Sequence, residues 1–313
     1  MTTVNVKPGM SPALYGAAAG VILLIIIQLM TSGLGGGTPT IMPSLAIDGN
    51  LLDFIADYLG YFFTTTPGLL VVGATILFYV TGTYYVQKST GGIEHETAAL
   101  MRGLLIGLCS GMNLILAYNI YGLWLGQTVG LVIGLVLFAL GILAAVRGVS
   151  QNNGYQGVIG WLSWLAPMSW PVLLLGVALL LVSLVLGLIG LAGVNLLRVG
   201  GDSSADASVK DKIATANWAT GTFFLVGGLA SNANFQKTAF NMGNVGFIHR
   251  KAQGDHREHE SGHNLNLFTF GWIVHYIGAV DENLVGYREK ALAELLAESN
   301  DGGSGKAKLQ MWL

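Results

Sequence analysis

Ser11 to Met30 is a run of twenty residues without a charge, with the core Val-Ile-Leu-Leu-Ile-Ile-Ile. At 1.5 Å per residue such a helix reaches about 30 Å, the thickness of bilayer hydrocarbon. Four more uncharged runs follow: Pro67 to Val86, Gly103 to Tyr121, Val129 to Val146 and Val172 to Leu196. Only 10% of the residues are Asp, Glu, Lys or Arg, 52% are hydrophobic and mean hydropathy is +0.60. These values place the chain among integral membrane proteins. Lys7 is the only charged side chain before the first run, which favours an uncleaved anchor over a signal peptide.

Charge sets the expected orientation. Thr31 to Thr66 contains Asp48, Asp53 and Asp57 but neither Lys nor Arg, whereas Lys7, Lys88, Arg102 and Arg147 fall on the opposite side. By the positive-inside rule, the acidic loop is outside and the basic residues inside. Five spans would leave the C-terminus outside, yet Arg198, Lys210 and Lys212 argue for inside. The Trp-rich piece Gly157 to Trp170, interrupted by Pro167, can restore parity as a re-entrant or interfacial segment, and Trp218 to Ala230 reads as a further buried apolar stretch. The expectation is a plasma (inner) membrane protein with a cytoplasmic C-terminal part. Gly103, Gly107 and Gly111, like Gly130 and Gly134, are spaced by four and let helices approach closely. The lone Cys109 cannot form an intramolecular disulfide and reads as a buried small hydrophobe. The absence of a long basic cluster argues against a nucleic-acid partner. Ion transport is disfavoured because no run carries a central charge.

The division expected is a multi-span region over 1–199, a polar linker over 200–213 and a C-terminal domain over 214–313. The fold class is a mostly α membrane protein: about five or six transmembrane helices with a small α+β domain. Ala239 to Phe247 alternates in the period of a strand with one covered face. Asp255 then suits a helix cap, Leu265, Phe268, Trp272, Tyr276 and Ala279 recur at helical spacing, and Gly278 marks a stop. A second helix is expected over 282–299.

Chemistry concentrates in this last part. Five of six histidines (His249, His256, His259, His263 and His275) lie within 27 residues. His259, Glu260 and His263 spell H-E-x-x-H. On a helix, positions i and i+4 share a face, so both imidazoles can meet one ion while Glu260 reaches a water bound to it.

Strand, H-E-x-x-H helix and a second helix bearing an acid resemble the zincin architecture. The spacing is similar to the gluzincin branch, which includes thermolysin-like peptidases and zinc aminopeptidases. The resemblance covers about 238–290, and the strand resembles the edge strand on which those enzymes hold extended substrate. It implies Zn2+ as cofactor, His259 and His263 as its first two ligands, Glu260 as general base and Glu282, nineteen residues beyond His263, as third ligand. The GxMEN and YGDG signatures of its subgroups are absent, and soluble gluzincins have no counterpart to the membrane half. His275 and Asp281 stay open as alternatives, the first as a ligand if the chain turns near Thr269, the second as a group orienting an imidazole. His275, Tyr276, Tyr287 and Arg288 are the nearby candidates for stabilising an oxyanion.

The function expected is therefore a membrane-integrated zinc metallopeptidase acting on a membrane-associated peptide or protein. The alternative is a non-enzymatic membrane assembly component in which zinc staples the C-terminal helices.

Overall fold

The computed structural model describes residues 11–34, 51–89, 94–146, 148–150, 152–188, 214–227, 230–231, 238–252, 256–285 and 291–300. The Lys7, Asp48, Arg147, Arg198, Lys210, Lys212, Asp255, Tyr287 and Arg288 positions and the linker over 200–213 lie outside the described residues. Described elements in the first half are α1 (Pro12–Leu34), α2 (Leu51–Thr64), α3 (Thr66–Val86), α4 (Glu96–Leu125) and α5 (Gln127–Leu143). They are followed by α6 (Asn153–Leu162), a 3-10 turn (Pro167–Ser169) and α7 (Trp170–Leu188).

The spaced glycines do what small residues do between apolar helices, where packing rather than water drives contact. Gly16 and Gly20 of α1 face Gly103 and Gly107 of α4 with the two helices parallel, and a Cβ at Gly103 or Gly107 would strike the α1 backbone. On the other side α5 runs antiparallel to α4, with Gly130 against Gly122 and Gly141 against Ser110. Helix α4 begins before the uncharged run that announces it. His95 caps it by accepting the Thr97 N–H through Nδ1 at 3.1 Å. Arg102, 2% exposed, lies inside it and donates two 3.1 Å hydrogen bonds to Glu94.

Among the described residues four helical stretches are long and apolar enough to cross a membrane: Pro12–Ser32, Thr66–Val86, Glu96–Leu125 and Pro167–Val185. Helix α5 is shorter, at 17 residues. The piece Gly157 to Trp170 is no single helix. Tyr155 at its start donates to Leu140 O, and Leu165 O near its end accepts from Tyr121, so α6 runs alongside the bundle toward the C-terminal end of α4. There the chain turns through Pro167, and Trp170 stacks on Trp124 at 6.1 Å as α7 begins.

The stretch from Trp218 is not an apolar span but a turn and a strand. A mixed four-stranded sheet has the order β1 (Ala214–Asn217), β2 (Thr222–Val226), β4 (Val245–Ile248), β3 (Ala239–Met242). Strands β2 and β4 are parallel and the outer pairs antiparallel. The single strand expected over Ala239 to Phe247 is a hairpin, because Gly243 adopts φ 70° and reverses the chain between Met242 and Val245. One sheet face packs on Val177, Leu180 and Leu184 of α7. The turn between β1 and β2 is sewn to α6 and its neighbours by side-chain donors. Trp161 Nε1 reaches Trp218 O, Asn264 Nδ2 reaches Thr220 O, and Trp164 Nε1 and Asn244 Nδ2 both reach Gly221 O, all at 2.9–3.1 Å.

Helix α8 (Arg257–Val280) contains a break at Gly271, with φ 76° and ψ 177°. It therefore continues beyond the stop expected at Gly278. A π-helical turn (Asp281–Val285) and α9 (Leu292–Asn300) complete the described chain, so the last helix starts later than the expected 282. Leu265 and Phe268 share one core with Tyr79, Leu105 and Ile106, while Leu267, Trp272 and Ile273 share another with Phe62, Leu108 and Met112. Packing thus joins the C-terminal residues to the helical bundle rather than setting them apart.

Candidate metal centre

The first half of α8 carries the motif. His259 and His263, one turn apart, bring their Nε2 atoms to 3.2 Å from each other. The acid between them is Glu294 of α9, with Oε2 3.1 Å from His259 Nε2 and Oε1 3.2 Å from His263 Nε2. All three donors lie within 4.8 Å of one another. Tetrahedral ligands about 2.0–2.1 Å from one ion would be roughly 3.4 Å apart, so little movement is needed to receive zinc. The ligand types also accept other divalent metals.

The acid at this position differs from the one expected. Glu282 sits in the π-helical turn, partly buried and outside the three-donor group, though near enough for its charge to act on Glu260. Burial, reinforced by Glu294, raises the Glu282 pKa. Glu294 reaches the imidazoles because α9 lies against α8 with little between them. Gly262, inside the motif, faces the Ala297 backbone, and Gly278 faces Ala293. A Cβ at Gly262 would collide with the Ala297 carbonyl.

Two further bonds fix the start of α9. Asn266 Nδ2 donates to Ala293 O at 3.1 Å, and Ala293 N–H points at the Tyr79 hydroxyl at 3.4 Å. Tyr79, from α3, also donates to Asp281 Oδ2 at 3.0 Å. Asp281 is thereby tied to the bundle rather than to an imidazole.

Electrostatics divide the four central groups. Burial alone would lower the His263 pKa, but the Glu294 carboxylate outweighs it and raises the value. Burial would raise Glu294, yet His263 and His259 hold it well below the usual carboxylate range. Glu260, 4% exposed, is pushed up to about 7 by burial, against the pull of both imidazoles and with the help of Glu294 and Glu282. Its backbone carbonyl accepts from Asn241 of β3 at 3.0 Å, which fixes the motif helix to the sheet edge.

The break at Gly271 settles where His275 goes. Twelve residues of straight helix would carry it about 18 Å from His263. Instead the ring centroids are 6.4 Å apart. His275 is bound to the Asn241 backbone, and burial followed by the His263 charge lowers its pKa to about 4. It is therefore a neutral imidazole beside the three donors. Tyr276 stays in the apolar stripe against Trp272, and His256 is outside the donor group.

Sequence reasoning missed Glu294, although a signal was present. Ala293 and Ala297, one turn apart, meet Gly278 and Gly262 of α8, so small residues on both helices mark the face where α9 approaches α8 and Glu294 comes near the imidazoles. No family profile, curated protein or solved structure matches the chain.

Proposed function

We propose that this chain is a membrane-integrated zinc metallopeptidase, with His259, His263 and Glu294 as metal ligands and Glu260 as general base. The observation that carries the reading is the donor triangle with a buried glutamate on the same helical turn. Two neutral nitrogens and one carboxylate suit zinc and leave a fourth position for water, as catalytic sites require. When bound, zinc supplies a Lewis acid that acidifies water and polarises a carbonyl. Glu260, with a pKa near 7, is suited to take a proton from the attacking water and return it to the leaving amine. His275 gives its one ring N–H to the Asn241 backbone, so in its neutral form the nitrogen facing the site is an acceptor that can take a hydrogen bond from water or substrate. Among the described residues the donor group has three members, which favours this reading over a zinc staple with four protein ligands.

The path of the chain bears on the membrane side as well. Helix α7 starts beside the C-terminal end of α4 and returns along the sheet, which supports placing the C-terminal residues with Lys88 and Arg102 on the cytoplasmic side of the plasma (inner) membrane. The test is metal content and peptide hydrolysis of the purified chain. One zinc per chain is expected, with Glu260→Gln keeping the metal and losing turnover. Zinc bound without hydrolysis of any member of a peptide library that includes membrane-inserted segments would overturn the reading.

A further inference from the structure

Building on the peptidase reading, we infer that the substrate is an apolar, membrane-inserted polypeptide segment, cut below the membrane surface near the end that carries Lys88 and Arg102. The depth of the metal ligands carries this inference. Helix α3 has 21 residues. At 1.5 Å each it is about 32 Å long, just enough to cross the hydrocarbon. Its final residue marks one boundary of that layer.

The acid-bearing helix touches α3 inside this boundary. A Cβ on Gly82 would be 3.1 Å from Leu292 and 3.4 Å from Met101 of α4, and Tyr79 bonds the Ala293 N–H. Gly82 and Tyr79 lie four and seven residues before Val86. Those separations correspond to about 6 and 10 Å of depth.

The break in α8 lies deeper. Gly271 packs against Cys109 and Met168, and Cys109 is thirteen residues into the 30-residue α4, about 20 Å from its start. Helix α8 thus descends to the middle of the bundle and turns back, with the metal ligands on its upper part. Interrupted backbone at such a depth is stable only inside protein or beside a polar cavity. Burial in protein supplies that setting, since Gly271 is enclosed by Met168 and Cys109.

The ligands are nevertheless reachable, since the His259 side chain is 26% exposed. Val280, 49% exposed and next to the Tyr79-bound Asp281, opens onto the same depth. A folded water-soluble protein cannot bring a peptide bond there. An apolar segment already in the bilayer can.

The experiment uses the full-length zinc-loaded chain in liposomes with two synthetic peptides. One carries a 21-residue Leu/Ala run with polar tails, and the other is the tail sequence alone. Mass spectrometry locates the cut. The expected result is a kcat/KM at least 100-fold higher for the inserted peptide, with cleavage within seven residues of the end of its apolar run. Tail-only peptide cut as fast as the inserted one would overturn the inference and leave the peptidase reading intact. A second measurement needs no activity: a nitroxide on Val280→Cys, in a Cys109→Ala background, should collide more often with oxygen than with a water-soluble nickel chelate. The opposite preference overturns the inference even in an active protein. A lipid-facing label with neither peptide cut overturns the peptidase reading and the substrate class together.

Discussion

Glu260→Gln in the metal-free protein tests whether the buried glutamate is held ready for chemistry at the expense of the fold. The side chain is 4% exposed, and burial raises its pKa from 4.5 to about 7. An acid whose native pKa lies above its unfolded value loses stability as pH rises through that interval. Below about 4.5 both states hold the proton and the group is neutral in its effect, whereas above about 7 both have lost it and the native state bears the full penalty. The rise from 4.5 to about 7 corresponds to about 3 kcal/mol, at 1.36 kcal/mol for each tenfold change in proton affinity. Glutamine has nearly the same shape and no charge to desolvate. Thermal or denaturant melts of the apo proteins at a series of pH values should therefore find Glu260→Gln more stable at pH 8 by about 3 kcal/mol, with the gain shrinking toward zero near pH 4.5. A variant equal to or less stable than the parent at pH 8 would refute the reasoning, because the carboxylate would then be well solvated or well paired. Stabilisation on removing a functional group is the usual mark of a site shaped for reaction.

Three further outcomes follow from the geometry. Glu294→Gln should weaken zinc binding by at least about 100-fold in chelator competition, while Glu282→Gln should change it less than about tenfold, since only Glu294 lies between the imidazoles. Tyr79→Phe, which removes the hydroxyl shared by Asp281 and Ala293, should weaken zinc binding by about tenfold and destabilise the apo fold by about 1–3 kcal/mol, read by chelator competition and by melting. Gly271→Ala should destabilise the fold by about 2 kcal/mol or more, measured by melting, because φ 76° with ψ 177° is a glycine conformation and the added methyl meets Met168 and Cys109.

What the sequence discloses depends on how local its cause is. The long uncharged runs mark where the helices α1, α3, α4 and α7 lie, since hydrophobicity over twenty residues needs no partner to be read. The H-E-x-x-H pair is equally local, because i and i+4 on one turn fix His259 and His263 together. Glu294 is different. Its place depends on the close approach of α8 and α9, which Gly262 and Ala297 permit only once the two helices are packed. Spacing alone pointed to Glu282 because the gluzincin pattern assumes that a second helix follows directly, while here a π-helical turn and residues 286–290 intervene. His275 was a matter of one torsion: without the Gly271 break it would be remote from His263, and with it the two rings meet. The alternation over Ala239 to Phe247 suggests one strand with one covered face, but a two-residue turn keeps the alternation nearly in phase, so it does not disclose the hairpin or the burial of all four residues of β4.

The parallel seating of α1 on α4 bears on how the protein is made. Gly16 leaves the ribosome 87 residues before Gly103, the residue it will face. At about 5–20 residues per second that is a wait of about 4–17 s, during which the notched face of the first helix meets only lipid or whatever guides its insertion. Helix α1 is therefore made well before the helix it packs on, and a nascent chain stalled before α4 presents to its surroundings a groove cut for a partner that has not been synthesised.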